Sequence, residues 1–424
     1  MRTQAPVEPA WPGLPAWASD ASLAERLARD WVAEHRGGVR VAGARTHSVL
    51  YRGREDLTLR IGVQLEGMGR RDALTLMVHS RSGEVSVTAL PDDPFLPTLA
   101  EVLRRRTVEL LLRGAGLESA SGTGTPACRA EVVHHPREGA CVLRLHGGGV
   151  EAYAKVYPRE EDATAAAAAA GAAAAAYAVG RGQAVRRGGE GLRLPGVLTV
   201  CAPLRTIVLE SVTSSGSSHV VTDRPVGPAE SARALRAFHA LVPAGPLTDV
   251  AASSHVDRVR REQALVATAW PDMAERVDES LCEAASVLED FPRRGLEPVL
   301  CHGDFTPGQL VRARGGLALL DLDTVAFGDP AADLGRFLAY EAVRAARLSR
   351  PLAQTSDTRE AVLAAYGAPR GGEEPARLRV RVAAYERLNL ALIALRATRR
   401  LKGARAALAL TLLDTTDATP GRPA

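Results

Sequence analysis

The sequence predicts an α+β protein with a bilobal core, a small β-rich lobe followed by a mainly helical one, preceded by an N-terminal α+β domain. Three observations support this. The 424 residues exceed what one compact core holds, so two to three units are expected. Short runs of alternating apolar and polar residues, the mark of strands, lie before residue 210. From residue 228 onward the apolar spacing is helical, broken by a β-like stretch at 299–322. A two-lobed layout of this kind places a site in the cleft.

Residues 1–20, rich in Pro, Ala and Trp, read as an irregular leader. Leu23, Leu27, Trp31 and Val32 recur at helical spacing and predict a helix over 21–35. Strands follow at 47–50 and 57–65, the second alternating Leu57, Leu59, Ile61, Val63 and Leu65, then at 74–79 and 84–90. A helix with a basic face is expected over 99–112, and 119–126 reads as a linker. Strands recur at 130–134, 141–146 and 150–157. Leu59-Arg60-Ile61 matches Leu143-Arg144-Leu145, and Val78 matches Val156, which places Met77 opposite Lys155. This reads as an internal duplication of one small sheet or as coincidence of β-pattern. Residues 162–179 are almost all alanine and predict a helix, because alanine has the highest helix propensity. Strands at 197–200 and 206–209 and a Ser-rich loop at 211–218 complete the first lobe. The expected domains are thus 1–120, 121–212 and 213–424.

Composition narrows the function. The 53 basic and 49 acidic residues leave a net charge of +4, no electrostatic footprint for nucleic acid. No membrane partner is expected either. The N-terminus, with Arg2, Glu8, Asp20 and Glu25 and no apolar core between them, does not read as a signal peptide, and the alanine run reads as too short and too weakly apolar to span a bilayer. Five scattered cysteines without a CxxC pair read as buried small hydrophobes in a reduced, cytoplasmic protein. Lysine occurs only at Lys155 and Lys402, so arginine fills the other 51 basic positions. A lysine kept inside an apolar strand of such a chain calls for a specific task.

The chemistry concentrates in the segment 301–340. His302-Gly303-Asp304 is followed five residues later by Gln309, and twelve residues after that by Asp321, which ends the apolar run Leu317-Ala318-Leu319-Leu320. A hairpin at Arg314-Gly315-Gly316 would bring Asp304, Gln309 and Asp321 to one end of a strand pair. One carboxylate base, one amide and one metal carboxylate suit phosphoryl transfer, which needs a group to deprotonate an acceptor hydroxyl and oxygen ligands for Mg²⁺. Asp323 reads as a turn acid or as a further metal ligand. Residues 377–400 read as an amphipathic helix with a solvated basic face.

Together with Gly328-Asp329-Pro330 and Asp333-Leu334, this pattern resembles the aminoglycoside phosphotransferase family, over roughly residues 128–410. The resemblance implies a protein-kinase-like fold, ATP and Mg²⁺ as cofactors, and a small-molecule hydroxyl as acceptor. It implies Asp304 as catalytic base, His302 as brace of the catalytic loop, and Asp321 and Gln309 as metal ligands. Asp329 and Asp333 become structural. Gln309 departs from the usual Asn; maltokinase-like members are similar in having Gly-Gln here. Lys155 resembles the strand lysine that contacts nucleotide phosphates. Arg137 in the loop 135–139 would contact phosphate or stand in a solvated turn, and Glu210 and Val212 lie where the adenine hinge is expected.

The family's helix glutamate for this lysine is missing. Glu160, Glu161 or Asp162 pairs with Lys155, or the partner comes from elsewhere. The basic residues of 376–405 rank a neutral or anionic acceptor above a polycationic aminoglycoside. The alternatives are an inactive kinase-fold binding or scaffold protein and a kinase acting on a peptide hydroxyl.

Overall fold

The computed structural model describes residues 22–53, 56–67, 70–81, 84–117, 128–136, 138–184, 191–212, 225–243, 247–290, 297–313, 316–349, 352–368 and 374–416. The fold is α+β, as the sequence predicts, and falls into two compact units. The first comprises residues up to Asp93, with Arg260–Glu279 and Leu392–Ala407; the second holds the rest.

The first unit opens with helix α1 (Leu23–His35), which buries Leu23, Ala24, Ala28 and Val32. Strands β1 (Arg40–Gly53), β2 (Asp56–Gly67), β3 (Arg70–Arg81) and β4 (Glu84–Ala89) form an antiparallel meander in sequence order. The alternating set of β2 is its core: Leu57, Leu59, Ile61, Val63 and Leu65 are all buried. Burying one such side chain stabilises by about 1.5–3 kcal/mol, so this one strand face anchors the sheet. Two later segments complete the unit. Trp270 packs edge-on against Tyr51 at 5.1 Å, and Arg399 donates from Nε to the Tyr51 carbonyl at 2.8 Å. Glu262 takes Nε of Arg396 at 3.0 Å and Nη1 of Arg399 at 2.5 Å.

The second unit begins at Pro94. Helices α2 (Leu99–Val102) and α3 (Arg105–Gly114) replace the single helix expected, and α3 packs on the following sheet. The cause is its apolar stripe: Val108, Leu111 and Leu112 are buried. That sheet has the order β5 (Arg129–His134), β6 (Cys141–Gly147), β7 (Val150–Val156), β10 (Thr206–Glu210), β9 (Val197–Cys201), antiparallel throughout. Helix α4 (Glu160–Ala184) is the alanine helix, and β8 (Gly191–Arg193) lies between it and β9.

Helices α5 (Pro228–His239), α6 (Ala252–Ala267) and α7 (Pro271–Asp290) follow. Strand β11 (Val299–Cys301) pairs with β14 (Ala326–Gly328), while β12 (Leu310–Ala313) and β13 (Gly316–Leu319) form the expected hairpin. Residues 314 and 315 of its turn lie outside the described residues. Helices α8 (Pro330–Arg347), α9 (Leu352–Tyr366), α10 (Pro375–Arg399) and α11 (Gly403–Thr416) close the chain. No helix of the described residues is long and apolar enough to cross a membrane.

Three further expectations change. In the first sheet Leu59 pairs with Val78 and Thr58 with His79; in the second Leu143 pairs with Ala154 and Val142 with Lys155. With Leu59 set against Leu143, His79 rather than Met77 holds the place of Lys155. Strand register follows the turns, and matching apolar letters slipped it by two residues. The basic face of α10 is not solvated throughout: Arg381 and Arg399 are buried and paired with Asp329 and Glu262. Cys282 is exposed, on a polar face of α7, whereas Cys141 and Cys301 are buried. The leader 1–20, the linker 119–126 and the Ser-rich loop beyond residue 212 lie outside the described residues.

Candidate active site

Lys155 stands in the middle strand of the sheet, paired with Val142 on β6 and Ile207 on β10. Its Nζ reaches Asp321 Oδ1 at 2.5 Å and Asp323 Oδ1 at 2.7 Å. Asp323 uses its other oxygen to accept from the Tyr157 hydroxyl at 2.8 Å. Burial disfavours the lysine's charge, but Asp323 and Asp321 outweigh it and hold the ammonium above its ordinary pKa. Burial likewise pushes the Asp321 carboxyl up, and Lys155 together with Gln309 more than reverses this, leaving it below the usual carboxylate range. Burial and Asp323 raise the Tyr157 phenol, which stays protonated as a donor.

The lysine's missing partner is thereby found. It is not Glu160, Glu161 or Asp162: Arg159 engages Glu161 and Asp162 at the exposed start of α4. Alanine explains the exchange. Ala163, Ala166, Ala170, Ala173 and Ala176 form the buried stripe of α4, which packs against the 3₁₀ turn Leu322–Thr324. A helix of methyl groups has nothing that reaches Lys155, but its small side chains let the turn come close, and the turn supplies Asp323. The sequence held the signal. Tyr157 lies two residues after Lys155, just past the end of β7, and Asp323 lies two residues after Asp321.

Gln309 sits just ahead of β12 and donates from Nε2 to Asp321 Oδ2 at 3.0 Å, while the Leu320 N–H donates to the Gln309 carbonyl at 2.8 Å. Asp321 itself adopts a left-handed backbone, φ 63° and ψ 58°, a conformation that costs a non-glycine residue about 1–2 kcal/mol and that clusters at working sites.

His302 ties the two halves of the motif together. Its Nε2 donates to the Leu320 carbonyl at 2.8 Å, and its Nδ1 accepts from the Asp304 N–H at 3.3 Å, so the proton sits on Nε2. Phe238 and Phe305 pack edge-on against the ring. Asp333, fully buried near the start of α8, accepts from the His302 N–H at 2.6 Å, the Gly303 N–H at 2.9 Å and His239 Nε2 at 3.0 Å. Burial raises its carboxyl, and these donors, His239 first, bring it below the ordinary range. His239, for which the sequence suggested no carboxylate partner, is thus part of the brace. Gly303 must be glycine: its φ is +78°, and a Cβ there would lie 2.4 Å from the Thr324 carbonyl oxygen.

Asp304 presents a one-third exposed carboxylate whose Oδ1 accepts from Arg336 Nη2. Asp329 caps α8 by accepting from the Ala331 N–H at 2.9 Å and also takes Arg381.

Two expected nucleotide contacts make no hydrogen bond or ion pair to this cluster among the described residues. Glu210 ends β10, half-exposed, near Arg193 and the Gly196 N–H, and Val212 is buried just beyond it. Arg137 lies outside the described residues. His239, Cys301 and Asp333 also lie close enough to suggest a metal cluster. Asp333 already serves three donors there, and burial pushes the Cys301 thiol well up, against the thiolate a metal needs.

A cation, two carboxylates and an amide are held together, with a further carboxylate on the adjoining loop. Residues 132–380 match the phosphotransferase enzyme family, APH, and the chain belongs to that family. It is a phosphotransferase of the kinase type, as the sequence resemblance implies. No curated protein matches the chain. Among solved structures it is similar to a choline/ethanolamine kinase family protein from Mesorhizobium loti (18% identical, 74% of this chain and 95% of that one, TM-score 0.48). It is also similar to a choline kinase from Cryptosporidium parvum (10% identical, 73% and 94%, TM-score 0.49) and to an aminoglycoside phosphotransferase from Streptomyces rimosus (19% identical, 68% and 99%, TM-score 0.40).

Proposed function

We propose that this chain moves the γ-phosphoryl group of ATP to a hydroxyl of a small molecule in the cytoplasm. The observation that carries the reading is the meeting of Lys155, Asp321 and Gln309 within hydrogen-bond reach, although Lys155 and Asp321 are 166 residues apart in sequence. Lys155 would hold the nucleotide phosphates. It already stands charged and desolvated, so little reorganisation is needed when phosphate takes over from carboxylate. Asp304 would orient the acceptor hydroxyl and take its proton as the new O–P bond forms and the bond to the ADP oxygen breaks. No covalent enzyme intermediate is required.

Asp321 and Asp323 offer carboxylate oxygens and Gln309 an amide oxygen, which suits a hard divalent cation that takes few protein ligands; Gln309 here turns its Nε2 to Asp321, so its amide would have to turn over to offer that oxygen. Asp321 and Gln309 would hold Mg²⁺, which neutralises charge on the phosphates. His302 and Asp333 would keep the Asp304 loop in register with Asp321. Four of the arginines of α10, Arg381, Arg387, Arg396 and Arg399, are engaged in ion pairs, which leaves them less pull on an anionic acceptor.

Calorimetry with Mg·ATP tests the reading. Wild type is expected to bind only when Mg²⁺ is present, and Lys155→Ala to bind at least tenfold more weakly. No binding by wild type at millimolar Mg·ATP would reject the phosphotransferase and favour a scaffold.

A further inference from the structure

Arg336 lies on α8, three residues after Asp333, with its side chain only 4% exposed. Its Nη2 donates to Asp304 Oδ1. Its Nη1 donates to Asn389 Oδ1 at 3.2 Å, and the Asn389 amide is anchored in turn on the Tyr385 carbonyl at 2.8 Å. The guanidinium carbon stands 5.8 Å from the ring centre of Tyr340. Its Nε is buried and meets no acceptor among the described residues. An arginine retained for packing alone would be expected to satisfy all its donors, since each buried orphan carries a desolvation penalty. Its one carboxylate partner among the described residues is Asp304, the group assigned to the acceptor hydroxyl.

We propose that Arg336 is a positioning residue for Asp304: it fixes Oδ1 and so leaves Oδ2 as the one oxygen presented to the acceptor. This rests on the phosphotransferase reading above. Among the described residues no protein group donates to Oδ2. A carboxylate on a loop would otherwise rotate about its last torsion, a broad two-fold well. The strap from the α10 backbone through Asn389 and Arg336 removes that freedom before substrate arrives, and a near-attack geometry held in advance lowers the barrier.

Because the acceptor is unidentified, the test uses Mg·ATP with water as acceptor, read as phosphate release. Arg336→Gln is expected to lower kcat at least tenfold with KM for ATP within twofold, and Arg336→Lys, which keeps the charge, to retain more activity. Introduced into Asp304→Asn, Arg336→Gln is expected to change the residual rate less than twofold, since it acts only through that carboxylate. Wild-type turnover in Arg336→Gln, or a further tenfold loss in the double variant, overturns the proposal. Should Arg336→Gln fail to fold, Asn389→Ala carries the same test: a lowered kcat at constant KM supports it, and an unchanged kcat overturns it. Failure of the parent reading is distinguishable, because it appears in calorimetry as absence of Mg·ATP binding by the wild type.

Discussion

The imidazole of His255 shows how local surroundings set a single group's behaviour. Burial, helped by the Arg336 and Arg258 guanidinium groups and opposed by Asp333, lowers its pKa from 6.5 to about 4. An unfolded chain therefore takes up a proton there that the folded chain refuses between those values. Stability falls as pH drops from 6.5 toward 4, with a limiting slope of about 1.4 kcal/mol per pH unit. His255→Gln is expected to flatten that slope by up to one proton in urea denaturation run at pH 4.5, 5.5 and 6.5; an unchanged slope would assign the acid sensitivity elsewhere. Of the candidate-site residues, those with a fixed spacing were legible: His302, Asp304, Gln309 and Asp321 stand within twenty positions. Arg336, Asn389 and His239 were not, because each works through a partner 32 or more residues away whose approach only packing decides.

Helices α8 and α10 cross with almost no space between them. A Cβ on Gly335 would lie 2.6 Å from Tyr385 Cβ, 2.7 Å from the Glu386 nitrogen and 2.8 Å from the Val382 oxygen. In an open helix, glycine to alanine gains about 1 kcal/mol. Here the obstacles are backbone atoms that cannot swing away, so the overpacking cost, about 1–3 kcal/mol or more, decides the sign. Gly335→Ala is expected to lower the urea midpoint, and an equal or higher midpoint would show that the helices can part. Most elements could be read from periodicity, as in β2 and β5 through β7. The exceptions have physical causes. The helix over 99–112 broke into two, and strand pairing slipped by two residues because loop lengths, not apolar letters, set register. The exposed-face reading of α10 failed because a charge pattern does not say which charges will be paired inside.

At the scale of the whole molecule, the first unit is discontinuous in sequence, built from the N-terminal sheet and two segments drawn from helices much further along. Removing residues 1–93 is therefore not expected to leave an intact remainder: Trp270 would lose Tyr51, and Arg399 would lose its carbonyl acceptor. Light scattering after gel filtration is expected to find the truncated chain aggregated; a monodisperse, folded product would show that Arg260–Glu279 and Leu392–Ala407 do not need the sheet. Periodicity alone could not have revealed this arrangement, since it lives in contacts between residues hundreds of positions apart.

The bond from Arg399 to Tyr51 joins positions 348 residues apart, which has a consequence for how the chain is made. The β-meander is complete at Ala89, yet its last partner, ending at Ala407, is synthesised about 320 residues later. At about 5–20 residues per second the wait is on the order of 15–60 s. Through that interval the nascent sheet keeps part of its apolar surface open to chaperones and to neighbouring nascent chains, so the yield of this enzyme in the cell should depend on the pace of its translation.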